Sequence, residues 1–250
     1  MRREEESPRE PTRLRRLLTR LAAARRGWQE VQPSRPPLLT EVQARERQLG
    51  GRPLLELARL PLEAGALEPL FAQVRDLHAD SGCPVGEGSW PALLERYLAQ
   101  ELQRTDPLAA HLVFQTLRAD WELWARPLAR FLDPDLGRPA TCPVCGGAPA
   151  MAIIDHLEGR RYLRCALCAT RWTYRRLGCP ACGNTEEAKL ELLLAEDDPG
   201  WRLDLCDNCH RYLKTADLAR IPDPELYALA AWGLEGVARR RGYDPLCEVG

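Results

Sequence analysis

Four CxxC pairs, Cys142/Cys145, Cys165/Cys168, Cys179/Cys182 and Cys206/Cys209, fall within about 70 residues of this chain. A CxxC turn sets both sulfurs on one side of a tight loop, and two such turns complete a tetrahedron around zinc or iron, with Zn–S near ~2.3 Å. A single pair would fit a redox dithiol. Four pairs spaced in this way predict two metal sites, each closed by four thiolates. Closure matters for function, because a site with four protein ligands leaves no position for water and so argues against metal-assisted hydrolysis.

The cysteine region is an internal repeat, and the repeat suggests how the pairs combine. Cys142-Pro143-Val144-Cys145-Gly146 leads to the apolar run Ala150 to Ile154, a turn at Glu158-Gly159, and Arg161 to Arg164 running into Cys165 and Cys168. Cys179-Pro180-Ala181-Cys182-Gly183 leads to Leu190 to Leu194, a turn at Asp197 to Gly200, and Trp201 to Leu205 running into Cys206 and Cys209. Each half therefore reads as a knuckle, a β-hairpin and a second knuckle. One site is assigned to Cys142, Cys145, Cys165 and Cys168, the other to Cys179, Cys182, Cys206 and Cys209, with interleaved pairing as the rival. Glycine after the second cysteine of each CPxCG suits a positive φ and lets backbone N–H groups approach the sulfurs. Segments of about 40 residues bury too little apolar surface to fold without a staple. Structural zinc supplies it, with an apparent binding free energy of about 10 to 16 kcal/mol in small peptides.

The rest of the chain reads as helical. Leu14, Leu17, Leu18 and Leu21 mark one amphipathic run in an arm rich in Arg, Glu and Pro, residues 1–37. Thr40 caps a helix that ends at Gly50-Gly51, and Leu67, Leu70, Phe71, Val74 and Leu77 trace a helix face. Ser89 opens another helix, carrying Leu94, Tyr97 and Leu98. Asp106-Pro107 starts one that presents Leu117, Trp121, Trp124 and Leu128, with Pro127 as a kink or stop. Composition shifts at Asp133-Pro134-Asp135. A final helix is expected from Asp223-Pro224, with Leu226, Leu229, Ala230, Gly233 and Val237 on one face and Arg239 to Arg241 before Gly242. The expected segments are an arm (1–37), a helical domain (38–135), two metal ribbons (136–177 and 178–216) and a C-terminal helix and tail (217–250).

Thirty-five basic residues against 36 acidic ones give a net charge of −1, with no global pull toward nucleic acid or an anionic membrane. Arg2-Arg3 is followed by Glu4, Glu5 and Glu6 without an apolar core, so a twin-arginine signal peptide is not expected. No apolar stretch approaches the ~20 residues of a bilayer-crossing helix. Cysteines used in CxxC pairs indicate a reducing compartment, the cytoplasm. Locally, Arg160, Arg161, Arg164, Arg171, Arg175 and Arg176 cluster with Tyr162, Trp172 and Tyr174, and no acid intervenes between Glu158 and Glu186. That cluster suits a surface for phosphates or an acidic partner, or else guanidinium groups that offset a thiolate cage of formal charge about −2. His156 and His210 read as surface or hairpin residues, His78 and His111 as helical core, and Cys83 and Cys247 as packing or surface residues.

Arg161-Tyr162-Leu163-Arg164-Cys165-Ala166-Leu167-Cys168, with Trp172, Arg175, the second CPxCG, Cys206-Asp207-Asn208-Cys209 and Tyr212-Leu213-Lys214-Thr215, resembles the formate dehydrogenase accessory protein family FdhE. The resemblance runs from about Thr141 to Thr215 and on through the final helix to Gly242-Tyr243. It implies an α+β fold: a helical N-terminal domain, two tandem rubredoxin-like or zinc-ribbon β-hairpin modules, and a C-terminal helix. It also implies a cytoplasmic assembly factor, not an enzyme, that binds the catalytic subunit of a molybdenum or tungsten formate dehydrogenase and supports its maturation. The eight named cysteines would hold two metal ions per chain, zinc or iron, which the thiolate set alone does not distinguish. Two rival readings stand beside it: an iron-containing redox protein in cofactor insertion, and a zinc-ribbon module that binds nucleic acid through the arginine cluster.

Overall fold

The structure, a computed structural model, describes residues 9–82, 87–133, 139–194, 200–220 and 232–247. It divides into two compact units, one formed by residues up to 32 and 63–117, the other by residues 33–62 and those from 118 onward.

The first unit is helical. Its members are α1 (Arg9–Val31), α3 (Ala64–Asp80), α4 (Trp90–Leu98), the single turn α5 (Leu102–Thr105) and the first part of α6 (Pro107–Ala125). Leu17, Leu21, Ala24 and Trp28 recur every three to four residues along α1, and all are buried. The amphipathic run near the N-terminus is thus part of a long packed helix against α3. Leu67, Leu70, Phe71, Val74 and Leu77 of α3 are buried as their spacing predicts. Two indoles tie α3 down: Trp28 donates to the Ala66 carbonyl at 2.9 Å and Trp90 to the Ala64 carbonyl at 2.7 Å. Asp106 caps α6 by accepting from the Ala109 N–H at 3.0 Å. In α4 the buried residues are Trp90, Leu93 and Leu94, whereas Leu98 of the expected stripe faces solvent. Trp90 and Leu93 lie one turn before Leu94 and Tyr97, so the buried part of the stripe sits toward the start of the helix, and Phe71 packs on the Trp90 ring at 4.9 Å.

The second unit carries the cysteines. Its helix α2 (Glu41–Leu49) opens with a complete capping box between Thr40 and Gln43. α6 gives way at Arg126 to a 3₁₀ turn, Arg126–Phe131, where Pro127 removes a helix N–H. Residues 33–62 are bound into this unit: Arg35 pairs with Asp120 at 2.9 Å and lies over the Trp124 ring, and Gln48 donates to the Phe131 carbonyl at 2.8 Å.

Among the described residues the sheet has seven strands: β1 (Pro149–Asp155), β2 (Arg160–Cys165), β3 (Arg171–Tyr174), β4 (Leu190–Leu194), β5 (Trp201–Cys206), β6 (Arg211–Asp217) and the short β7 (Asp244–Pro245). The order is β3-β2-β1-β6-β5-β4, with β7 beside β6. Each half of the repeat is thus a three-stranded antiparallel meander, with one more strand than the hairpin that the sequence suggests. The added strands follow the second knuckles and are short or continuous with the tail. The two meanders also share one sheet, because β1 and β6 pair in parallel, Met151 opposite Lys214 through Ile154 opposite Asp217. The described part of the C-terminal helix is α7 (Trp232–Arg240), with Arg239 and Arg240 in its last turn and Gly242 at φ +84° just beyond. Asp223 to Ala230, Pro134-Asp135, Asp197 to Pro199 and Cys83 lie outside the described residues.

Candidate metal centres

The eight cysteines gather into two groups. Cys142, Cys145, Cys165 and Cys168 form one, and Cys179, Cys182, Cys206 and Cys209 the other, with the sulfurs of each group all within 4.8 Å of one another. The grouping follows the consecutive halves of the repeat, not the interleaved alternative. In the first group Cys142 and Cys168 sulfurs stand 3.7 Å apart and those of Cys145 and Cys165 3.4 Å. In the second the Cys179–Cys209 and Cys182–Cys206 separations are both 3.7 Å. Disulfides need about 2.05 Å. A regular tetrahedron with Zn–S of ~2.3 Å has edges of about 3.8 Å, so the donor sets fit a four-thiolate ion in type and spacing.

The knuckles explain how so few residues place the sulfurs. In the first CPxCG the Gly146 N–H donates to the Cys142 carbonyl and the Cys142 N–H to the Gly147 carbonyl, both at 2.8 Å. In the second the Gly183 N–H donates to the Cys179 carbonyl and the Cys179 N–H to the Asn184 carbonyl, both at 2.9 Å. These turns reverse the chain through positive φ at Gly146 (+78°) and Gly183 (+75°). The second knuckles adopt the same conformation without glycine, at Ala169 (+57°) and His210 (+52°). His210 is therefore a turn residue, exposed and outside the sulfur group. His156, also exposed, pairs with Asp217 at 3.2 Å. At Gly147 space is tight: a Cβ there would lie 3.0 Å from the Leu167 side chain and 3.2 Å from the Cys165 sulfur, so a larger residue would push on both.

Donors surround the sulfurs. The Leu167 N–H points at the Cys165 sulfur at 3.3 Å, the Ala181 N–H at that of Cys179 at 3.4 Å, and the Asn208 amide at that of Cys182 at 3.5 Å. Such donors stabilise thiolate and bound metal alike. Partial burial acts to raise the Cys182 thiol, but the Asn208 amide, the backbone at Asn184 and the adjoining cysteines outweigh it and lower it to about 7. In the first group neighbouring thiols push Cys142 above its ordinary range and hold Cys165 below it. Four sulfurs this close cannot all ionise unless a cation sits among them.

The two centres differ in their surroundings. The first is part of a hydrophobic core with Leu54, Leu55, Leu128, Val144, Leu163, Trp172 and Leu213. The segment after α2 closes over it, with Leu54 and Leu55 N–H groups donating to Pro143 and Val144 at 3.1 and 2.7 Å. In the second, Cys182 is exposed and Cys209 half-buried, and only Cys179 and Cys206 are buried.

Between the halves lies a group whose role the spacing of the cysteines does not reveal. Arg161 is 2% exposed and donates to the Gly178 carbonyl at 2.9 Å, immediately before Cys179, and to Asp204 at 2.7 Å, two residues before Cys206. Asp204 also accepts from Thr215 at 2.9 Å and from Arg202 at 2.8 Å. The clue in the sequence is phase. Arg161 shares the inward face of β2 with Leu163 and Cys165, where a cation requires a carboxylate. The arginine cluster therefore divides: Arg161 is structural, Arg171 lies over the Tyr162 ring at 4.6 Å, and Arg175 lies over Tyr174 at 5.6 Å.

The model of a family described as "FdhE, central domain" matches residues 141–176, the first centre and its meander. The chain is 34% identical over 107 residues to a protein named FdhE homolog from Aquifex aeolicus, covering 41% of this chain and 38% of that protein. It is 31% identical over 140 residues to one of the same name from Haemophilus ducreyi, covering 55% and 45%. For Stutzerimonas stutzeri the figures are 39% over 109 residues, covering 41% and 35%. Over these stretches the chain is similar to FdhE proteins and carries a match to their central domain. The matched stretches span less than half the length of these FdhE relatives. The fold extends further than the sequence match: the crystal structure of the FdhE protein from Pseudomonas aeruginosa superposes with a TM-score of 0.61, covering 94% of this chain and 91% of that one at 22% identity. Among the described residues no helix is long and apolar enough to cross a membrane.

Proposed function

We propose that this chain is an accessory factor, without turnover of its own, that binds the catalytic subunit of a molybdenum or tungsten formate dehydrogenase in the cytoplasm and supports its maturation. Its eight clustered cysteines hold two metal ions, zinc or iron, whose part is to staple the two meanders into a recognition body. The observation that carries this reading is the coincidence of the FdhE central-domain match, residues 141–176, with the first four-cysteine centre. Closed thiolate sites agree with a structural role. The test is affinity purification from cells that make such an enzyme, beside a deletion strain. The catalytic subunit co-purifies and formate dehydrogenase activity falls on deletion. If the subunit is never recovered and activity survives, the proposal fails.

The exposure of Cys182 supports a second reading, in which the outer centre carries iron and exchanges electrons with a partner. Protein purified without oxygen then shows the visible absorption of ferric iron on four thiolates, whereas zinc is colourless.

A further inference from the structure

Beside the first centre lies a cavity of about 550 Å³, lined in part by Arg52, Arg160, Tyr162, Arg171, Trp172 and Cys142. It is built by strand phase. Arg160 and Tyr162 leave β2 on the side opposite the buried Arg161 and Leu163, and on β3 Thr173 stands across from Tyr162 and Arg171 across from Arg164. Arg160 and Arg171 leave the strands about four residues or ~13 Å apart along one face, and the Arg171 guanidinium reaches back over the Tyr162 ring at 4.6 Å. Arg52 adds a third guanidinium from the loop after α2. Trp172, 5% exposed and held by its indole N–H to the Pro139 carbonyl at 2.9 Å, backs the cavity with the core of the centre. None of the three arginines pairs with a carboxylate of a described residue, and Asp133 is the one acid among the described lining residues.

Three guanidinium groups at one cavity select a ligand with several negative charges, and their planar forks match phosphate oxygens two at a time. The volume lies within the ~300 to 1,000 Å³ of small-molecule sites and so suits one compact molecule. A planar guanidinium laid on an aromatic ring, as Arg171 is on Tyr162, is a flat polar surface that suits a ligand carrying a flat ring as well as charge. We propose that this cavity binds one phosphorylated small molecule bearing an aromatic ring, of the nucleoside diphosphate class, per chain. Neither the clustered cysteines nor the accessory role requires this site.

The experiment is isothermal titration of the full metal-loaded chain with ADP, GDP and inorganic pyrophosphate. Arg160→Gln and Arg171→Gln are the test variants, and Arg176→Gln is a control with the same charge change outside the lining. Saturable binding at one equivalent is expected, tighter for a nucleoside diphosphate than for pyrophosphate. Each test variant weakens it by about tenfold or more, the usual effect of losing a charge-assisted bidentate contact, and the control leaves it within about twofold. Circular dichroism of the variants confirms the fold, since both arginines are exposed. Absence of saturable heat up to about 1 mM ligand, a millimolar constant being the floor of specific binding, overturns the proposal. So does an equal loss in Arg176→Gln, which would mark a diffuse field. Tighter binding of a glutamate-rich peptide or a single-stranded oligonucleotide at the same arginines also overturns it, because the face would then serve a macromolecule.

Discussion

If both cysteine groups hold metal, the two ions should leave the protein at very different rates. A chelator can reach the second centre through Cys182, which is exposed, and Cys209, which is half-buried. In the first only Cys145 is half-buried, and freeing the buried Cys142, Cys165 and Cys168 requires lifting the segment that carries Leu54 and Leu55, each 2% exposed, and displacing Trp172. Re-exposing three such side chains costs roughly 1.5 to 3 kcal/mol each, so opening the first centre takes about 5 kcal/mol or more beyond opening the second. At ~1.4 kcal/mol per decade, that predicts a release rate at least about a thousandfold slower. The assay is a chelator challenge of the holoprotein followed by native mass spectrometry, which counts chains with two, one and no metal ions. Alkylation mapped by peptide mass should run in parallel. A long-lived one-metal species is expected, with Cys182 modified first, the half-buried Cys145 and Cys209 later, and Cys142, Cys165 and Cys168 protected. Loss of both metals with a single rate, or modification of Cys165 as early as Cys182, would refute the link between burial and release.

Complete removal of metal under reducing conditions is expected to abolish the β signal in far-ultraviolet circular dichroism while much of the helical signal persists; a surviving β signal contradicts the staple. Arg161→Ala removes a buried cation and its bonds to Gly178 and Asp204, while Asp204 keeps Arg202 and Thr215, and is expected to cost about 2 kcal/mol in urea unfolding; the double variant Arg161→Met with Asp204→Asn should recover part of that loss. Gly146→Ala and Gly183→Ala are each expected to lose about 1 kcal/mol through positive φ, while Ala169→Gly stays near neutral; equal losses at all three positions would disprove the shared knuckle geometry. Burial lowers the pKa of His78 below 6.5, against a smaller upward pull from its hydrogen bond to the Val74 carbonyl. The unfolded chain then takes up that proton first, so the His78 contribution is constant above about pH 6.5 and stability falls as pH drops below it. His78→Gln should flatten that acid limb of the thermal unfolding temperature; an unchanged slope removes His78 as its source.

Much of the candidate site is legible in the sequence because its causes are local. A CPxCG knuckle is closed by hydrogen bonds among residues four or five apart, such as Gly146 to Cys142, and these depend on no other part of the chain. The four strands read from apolar runs form hairpins, where turn and register are set by neighbours. β3 could have been found as well, since Arg-Trp-Thr-Tyr alternates outward and inward. Four residues are too few for periodicity to stand out against turn-rich flanks.

The four CxxC pairs point in the sequence to two four-sulfur groups, and their internal repeat favours consecutive over interleaved pairing, which the structure then decides, each group being assembled within some 30 residues of chain. Only the tertiary structure decides that the meanders join through the parallel β1–β6 contact and that Arg161 finds Asp204, 43 residues further on. The same holds for the closing of residues 33–62 over one centre and not the other. These depend on which surfaces meet after local folding. Two centres alike in sequence therefore differ in burial, and with it in access to water, chelators and partners.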